Sequence, residues 1–255
     1  MSEVRCVFLT GSDQSPVLAS LVGDGTAVAA LILPWRSRNE ARLAPVIGAA
    51  ERLGIEVLRP RRAELAAALR RIAPDLLVSY GYPYLVAADA LRIPAHAINV
   101  HPSLLPRYRG PNVEWHIIAS GDVESGVTVH LMDEGMDTGP IVYRQPIALS
   151  PFETIRSYAR KVEDAVPVAL RAAIRLLGTP GFAPVPQDEA HATRFPRFRT
   201  PDDSRIDPTR PLLELFHQIK ACDPERFPAF FEYEGERVGV KLFRLNRPAG
   251  AGDEI

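Results

Sequence analysis

Asn99-Val100-His101-Pro102-Ser103-Leu104-Leu105-Pro106-Arg107-Tyr108-Arg109-Gly110 continues an apolar run that begins at His96. In an extended strand side chains repeat with period two, so Asn99 and His101 share a face. A carboxamide and an imidazole therefore converge at the carboxyl end of a strand. Pro102 stops that strand, and Pro106 and Gly110 require a shaped loop after it. By itself Asn-x-His is a weak signal, because such pairs commonly bond to nearby backbone.

Upstream lie four more apolar runs, at 4–10, 27–33, 55–58 and 75–79. With 96–100 they read as strands, continuous rather than alternating, as in parallel strands covered on both faces. Helical stretches separate them. Residues 38–53 are rich in Ala, Glu and Arg, and 63–72 sets Leu65, Leu69 and Ile72 at helical spacing. The alternation predicts an α/β fold, a doubly wound, Rossmann-like and mostly parallel sheet. In such sheets the ligand crevice lies outside the carboxyl ends of the strands, where Asn99 and His101 stand.

Downstream, 127–132 reads as a strand. Residues 154–177 carry Ile155, Tyr158, Val162, Val166, Leu170, Ile174 and Leu177 on one helical stripe. Pro167 predicts a kink or two abutting helices there. Residues 178–208, rich in Pro, Gly and polar groups, read as a linker. A short helix at 212–221 and a hairpin, 230–233 and 238–245 around Glu234-Gly235-Glu236, follow. The expected organisation is a catalytic domain at 1–178, a linker at 179–208, a small, truncated C-terminal helix-plus-hairpin appendage at 209–247 and a frayed tail at 248–255. Phe230, Phe231 and Tyr233 of the hairpin read as cover for its own core, with strand addition in a homodimer as the other reading.

The second informative segment is Met132-Asp133-Glu134-Gly135-Met136-Asp137-Thr138-Gly139-Pro140. Two glycines and a proline make it a tight loop. Its three carboxylates lack an adjacent Lys or Arg, which invites one perturbed acid. The bland readings are a solvated Asp133 and Glu134 and a turn-capping Asp137. His116 and His130 read as structural histidines.

Composition narrows the classes. The chain has 255 residues and a formal net charge of −1, with no basic excess of the kind that grips nucleic acid. Cys6 and Cys222 are the two cysteines, and Cys6 reads as a small buried hydrophobe. There is no signal-peptide pattern and no apolar run near the roughly 18 residues that span a bilayer. A cytoplasmic location is the expectation.

Taken together, Asn99-x-His101-Pro-Ser-Leu-Leu-Pro-x-Tyr-x-Gly, Gly126-Val-Thr-Val-His130 and Asp137-Thr-Gly-Pro140 resemble the 10-formyltetrahydrofolate-dependent formyltransferases. The resemblance implies that Asn99, His101 and Asp137 are the catalytic trio, and that 10-formyltetrahydrofolate is the co-substrate. Tyr82, Tyr84, Leu85 and Val86 fall where the family wraps backbone around the pterin. Ser103, Leu104, Leu105, Pro106, Met132, Asp133 and Glu134 would complete the folate pocket. No metal is implied.

The flanks bear on the acceptor amine. Residues 197–207 resemble the linker of the sugar and methionyl-tRNA branches. Residues 201–255 hold 11 acidic and 8 basic residues, the wrong balance for tRNA. Trp115, after the Arg-Gly loop, resembles the sugar branch. The expected acceptor is a small amine, an amino sugar attached to a nucleotide. Arg107 and Arg109 would meet its phosphates, or else stabilise their own loop. The alternatives are a methionyl-tRNA formyltransferase, a formyltetrahydrofolate hydrolase and a folate-binding module without catalysis.

Overall fold

The computed structural model describes residues 4–37 and 39–252. The main sheet contains β1 (Arg5–Leu9), β2 (Ala27–Ile32), β3 (Glu56–Leu58), β4 (Leu76–Tyr80), β5 (His96–His101), β6 (Glu124–Leu131) and β7 (Ile141–Ala148). Their spatial order is β3-β2-β1-β4-β5-β6-β7. The first five are parallel to their neighbours, and β6 runs antiparallel on β5. The order reverses beside β1, as the alternating pattern of strands and helices predicts. The helices are α1 (Ser15–Gly23), α2 (Ala44–Arg52), α3 (Leu65–Ile72), α4 (Ala88–Leu91), α5 (Val113–Ser120), α6 (Ile155–Leu177) and α7 (Leu212–Ala221). Where one helix was expected over 38–53, a 3-10 turn at Glu40–Arg42 precedes α2, whose first turn takes Pro45. Arg38 lies outside the described residues.

The chain forms two compact units. One comprises the residues up to 101 with 128–144 and 166–189; the other comprises 102–127, 145–165 and the residues from 190 onward. In the first unit, Val7, Leu9, Ala30, Ile32 and Leu77 from the strands pack with Leu65, Leu69 and Ile72 of α3. The three-to-four spacing of α3 thus faces the sheet as predicted. Cys6 is fully buried, and burial pushes its thiol up to about 12.

In the second unit the buried Tyr158 hydroxyl lies 2.9 Å from Pro102 O, 3.1 Å from Gly126 O and 2.9 Å from Ser125 Oγ. Arg156 grips Asp223 through two bonds, Nε–Oδ2 at 2.8 Å and Nη2–Oδ1 at 2.7 Å. A smaller core joins Ile206, Leu215, Ile219, Cys222 and Ala229. Beside it β8 (Ala229–Tyr233) and β9 (Glu236–Val240) form the hairpin. Glu234 and Gly235 both have positive φ, as a two-residue hairpin turn requires. Phe230 is buried and Phe231 packs on that core, while Tyr233 is exposed.

Two further expectations change. β9 ends at Val240 rather than reaching 245, because β8 supplies only five partners and the ladder closes at Ala229↔Val240. α6 is one helix with Pro167 inside it, not two. The flanking Val166, Ala169 and Leu170 are buried, so packing of the apolar stripe outweighs one missing backbone donor.

The Arg156 guanidinium holds the Asp223 carboxyl well below the usual carboxylate range. A depressed folded value means stability that is present above the unfolded value and lost as pH falls toward the folded one. Thermal melts from pH 7 to pH 3 should show Asp223→Asn less stable than wild type at pH 7, with the gap narrowing below about pH 4. A pH-independent gap would contradict this role.

Candidate active site

β5 carries Asn99 and His101 on one face, and antiparallel pairing with β6 sets His130 directly opposite Asn99. The loop from β6 to β7 brings Asp137 to the same place. Its base is closed by Leu131 N–H donating to Pro140 O at 2.8 Å, and Met132 N–H donates to Ala97 O on β5, also at 2.8 Å. A Cβ on Gly139 would stand 1.8 Å from Leu131 O, so only glycine allows this closure. Asp137 itself has φ +56.

The side chains then form a chain of contacts. His130 Nδ1 lies 2.7 Å from Leu131 O, so it carries a proton. That leaves Nε2 to accept from Asn99 Nδ2 at 3.2 Å. Asn99 Nδ2 also donates to Asp137 Oδ1 at 3.3 Å. The other carboxylate oxygen, Oδ2, lies 3.6 Å from His101 Nδ1. His101 is 5% exposed and the Asp137 side chain 13%, so charge here is weakly screened. This carboxylate orients an amide and faces an imidazole on one strand.

The neighbouring carboxylates differ. Asp133 Oδ1 accepts from Gly135 N–H at 3.0 Å and from Thr138 Oγ1 at 2.6 Å, which holds the loop. Glu134 is exposed. Met132 and Tyr82 both pack against the core of the first unit. Tyr82 meets Tyr84 edge to face at 5.6 Å, and burial pushes its phenol up to about 12. Tyr84 and Leu85 are exposed, while Val86 is buried.

Ser103, Leu104, Leu105 and Pro106 belong to the second unit. Ser103 Oγ donates to Arg107 O at 2.8 Å, and Leu105 is buried. Leu104 lines a cavity of about 140 Å³ with Arg107, Tyr108, Asp122 and Ser125. Arg107 pairs with Asp122 at 2.5 Å. Arg109 is buried, 1% exposed. Trp115, on α5, lies under the Arg199 guanidinium at 4.8 Å.

His130, read from the sequence as a structural histidine, reaches the centre through the register of β6 on β5. Gln187 has no local signal; its Nε2 donates to Asp137 O at 2.9 Å and to Gly139 O at 2.7 Å.

Residues 34–174 match the formyl transferase family. The chain belongs to that family, the folate-dependent N-formyltransferases that draw on 10-formyltetrahydrofolate. It is 34% identical to the methionyl-tRNA formyltransferase of Myxococcus xanthus, across 99% of this chain and 82% of that one. It is 37% identical to that of Anaeromyxobacter dehalogenans strain 2CP-1, across 79% of this chain and 66% of the relative. In fold it is similar to a sugar N-formyltransferase from a Shewanella species, with a TM-score of 0.75 at 16% identity, over 94% of this chain and 97% of that one.

Because His130 Nε2 holds one Asn99 proton, His130→Leu should free the amide to rotate. Turnover is expected to fall about tenfold, equivalent to about 1.4 kcal/mol in barrier, with the melting temperature little changed. Steady-state kinetics beside a thermal melt would check it; unaltered turnover would separate His130 from the chemistry.

Proposed function

We propose that the chain transfers the formyl group of 10-formyltetrahydrofolate to the amine of a nucleotide-linked amino sugar. The observation that carries the chemistry is the convergence of Asn99, His101 and Asp137 at the end of β5. The acceptor nitrogen attacks the formyl carbon, and a tetrahedral oxyanion forms. The new C–N bond stays, the bond from carbon to folate N10 breaks, and one amine proton ends on N10. The His101 imidazole donates to the oxyanion, and the Asp137 carboxylate, 3.6 Å from its Nδ1, faces the ring. Asp137 also accepts the amine proton, directly or through water. The Asn99 bonds to His130 and Asp137, 3.2 and 3.3 Å, are long. An oxyanion beside Asn99 competes for one of those protons.

The donor side rests on Tyr82, Met132 and the loop through Asp137. Support for a small acceptor comes from the acidic balance of residues 201–255 and from fold similarity to a sugar N-formyltransferase. A second reading, formylation of methionyl-tRNA, is favoured by relatives of that name at 34–37% identity. A cytoplasmic setting accompanies either acceptor.

Incubation with 10-formyltetrahydrofolate and a panel of amines, read by mass spectrometry, decides between them. The panel holds UDP- and dTDP-linked 4-amino sugars, glycinamide ribonucleotide and methionyl-tRNA. A formylated nucleotide sugar is the expected product. Formylation of methionyl-tRNA alone would establish the second reading, and formate release at the same rate without any amine would mark a hydrolase. On the accepted amine, Asp137→Asn and His101→Ala should each lose most of kcat, about 2.7–4 kcal/mol in barrier, with little change in folate affinity.

A further inference from the structure

We propose that Gln187 is a positioning residue for the transfer reaction, holding the Asp137 loop in its working shape; this rests on the reading of Asp137 given above. Gln187 lies in the irregular stretch after α6. Its Nε2 places its two hydrogens on the carbonyls of residues 137 and 139, at 2.9 and 2.7 Å. Those carbonyls flank Thr138, whose hydroxyl is itself tied to Asp133. The 137–138 and 139–140 peptide planes are therefore both oriented from one side chain.

The anchor is built independently of the loop. Two residues before Gln187, Val185 exchanges both backbone bonds with Ile141, N–H to O at 2.8 Å and O to N–H at 2.7 Å. Ile141 opens β7, so Gln187 is carried on a short strap fixed to the sheet. Its reach spans 50 residues of sequence to Asp137. The clamp also answers a local need. Asp137 is an L-residue in the left-handed region, a strained conformation that relaxes unless its surroundings hold it. A loop released from Gln187 would let the carboxylate leave its place 3.6 Å from His101. Misplacement by about 1 Å can cost about 100-fold in rate.

Two substitutions separate positioning from simple structure. Gln187→Met keeps the length and removes both donors. Gln187→Glu keeps the shape; as a carboxylate it turns one oxygen on both carbonyls, and as a neutral acid it regains one donor. Each is assayed on the panel amine that wild type formylates fastest, from pH 6 to pH 8.5, with Asp137→Asn in parallel. The expected result for Gln187→Met is kcat lowered about 10-fold or more, KM for 10-formyltetrahydrofolate within about threefold, and a ratio to wild type that does not vary with pH. Gln187→Glu should be equally slow at pH 8.5 and recover relative to wild type as pH falls.

An inactive Asp137→Asn beside fully active Gln187 variants would overturn the proposal alone. A rise in KM without loss of kcat would also overturn it, since that marks a folate contact. Near-normal turnover of Asp137→Asn would overturn the reading of Asp137 and this proposal with it. If Gln187→Met fails to fold, Gln187→Glu decides: a pH-independent deficit overturns the clamp.

Discussion

The arrangement depends on the antiparallel pairing of β6 with β5, at the end of the parallel run β3-β2-β1-β4-β5. β6 lies against β5 with His130 across from Asn99 and Thr128 across from His101. A slip of one residue would turn the facing side chains to the opposite side of the sheet. In this register the His130 ring orients the Asn99 amide, and the end of β6 launches the loop that returns Asp137 to the same face. The Asp137 carboxylate reaches the imidazole from the loop that joins β6 to β7. It needs the register, the closure at Leu131 and Pro140, and a turn that tolerates positive φ.

What could be read from the sequence was local. The period-two placement of Asn99 and His101 needs only one strand, and Leu65, Leu69 and Ile72 need only one helix. Both are found in the structure as read. The turn at Glu234-Gly235 is similarly short-ranged. Features set by distant partners were illegible. β9 stops where β8 runs out, α6 passes through Pro167 because buried neighbours hold it, and His130 meets Asn99 from 31 residues away. Asp137 lies 38 residues from Asn99, and only the resemblance to a known family brought it to the site.

The second unit shows how a charged segment can be largely self-contained. Arg107 finds Asp122, Arg109 is buried, and Arg199 covers Trp115. Arginines that look from sequence like phosphate ligands are thus also parts of their own scaffold. An Arg→Ala change at such a place removes packing along with charge, so loss of acceptor binding there would need a stability measurement beside it.

Gly139 carries an implication for how this protein could change over time. The obstruction a Cβ would meet there is the carbonyl of Leu131, part of a strand whose alignment to β5 is already committed. A clash with a flexible side chain can be relieved by a second substitution nearby, but a clash with that carbonyl has no such remedy. Position 139 is therefore a dead end for neutral drift.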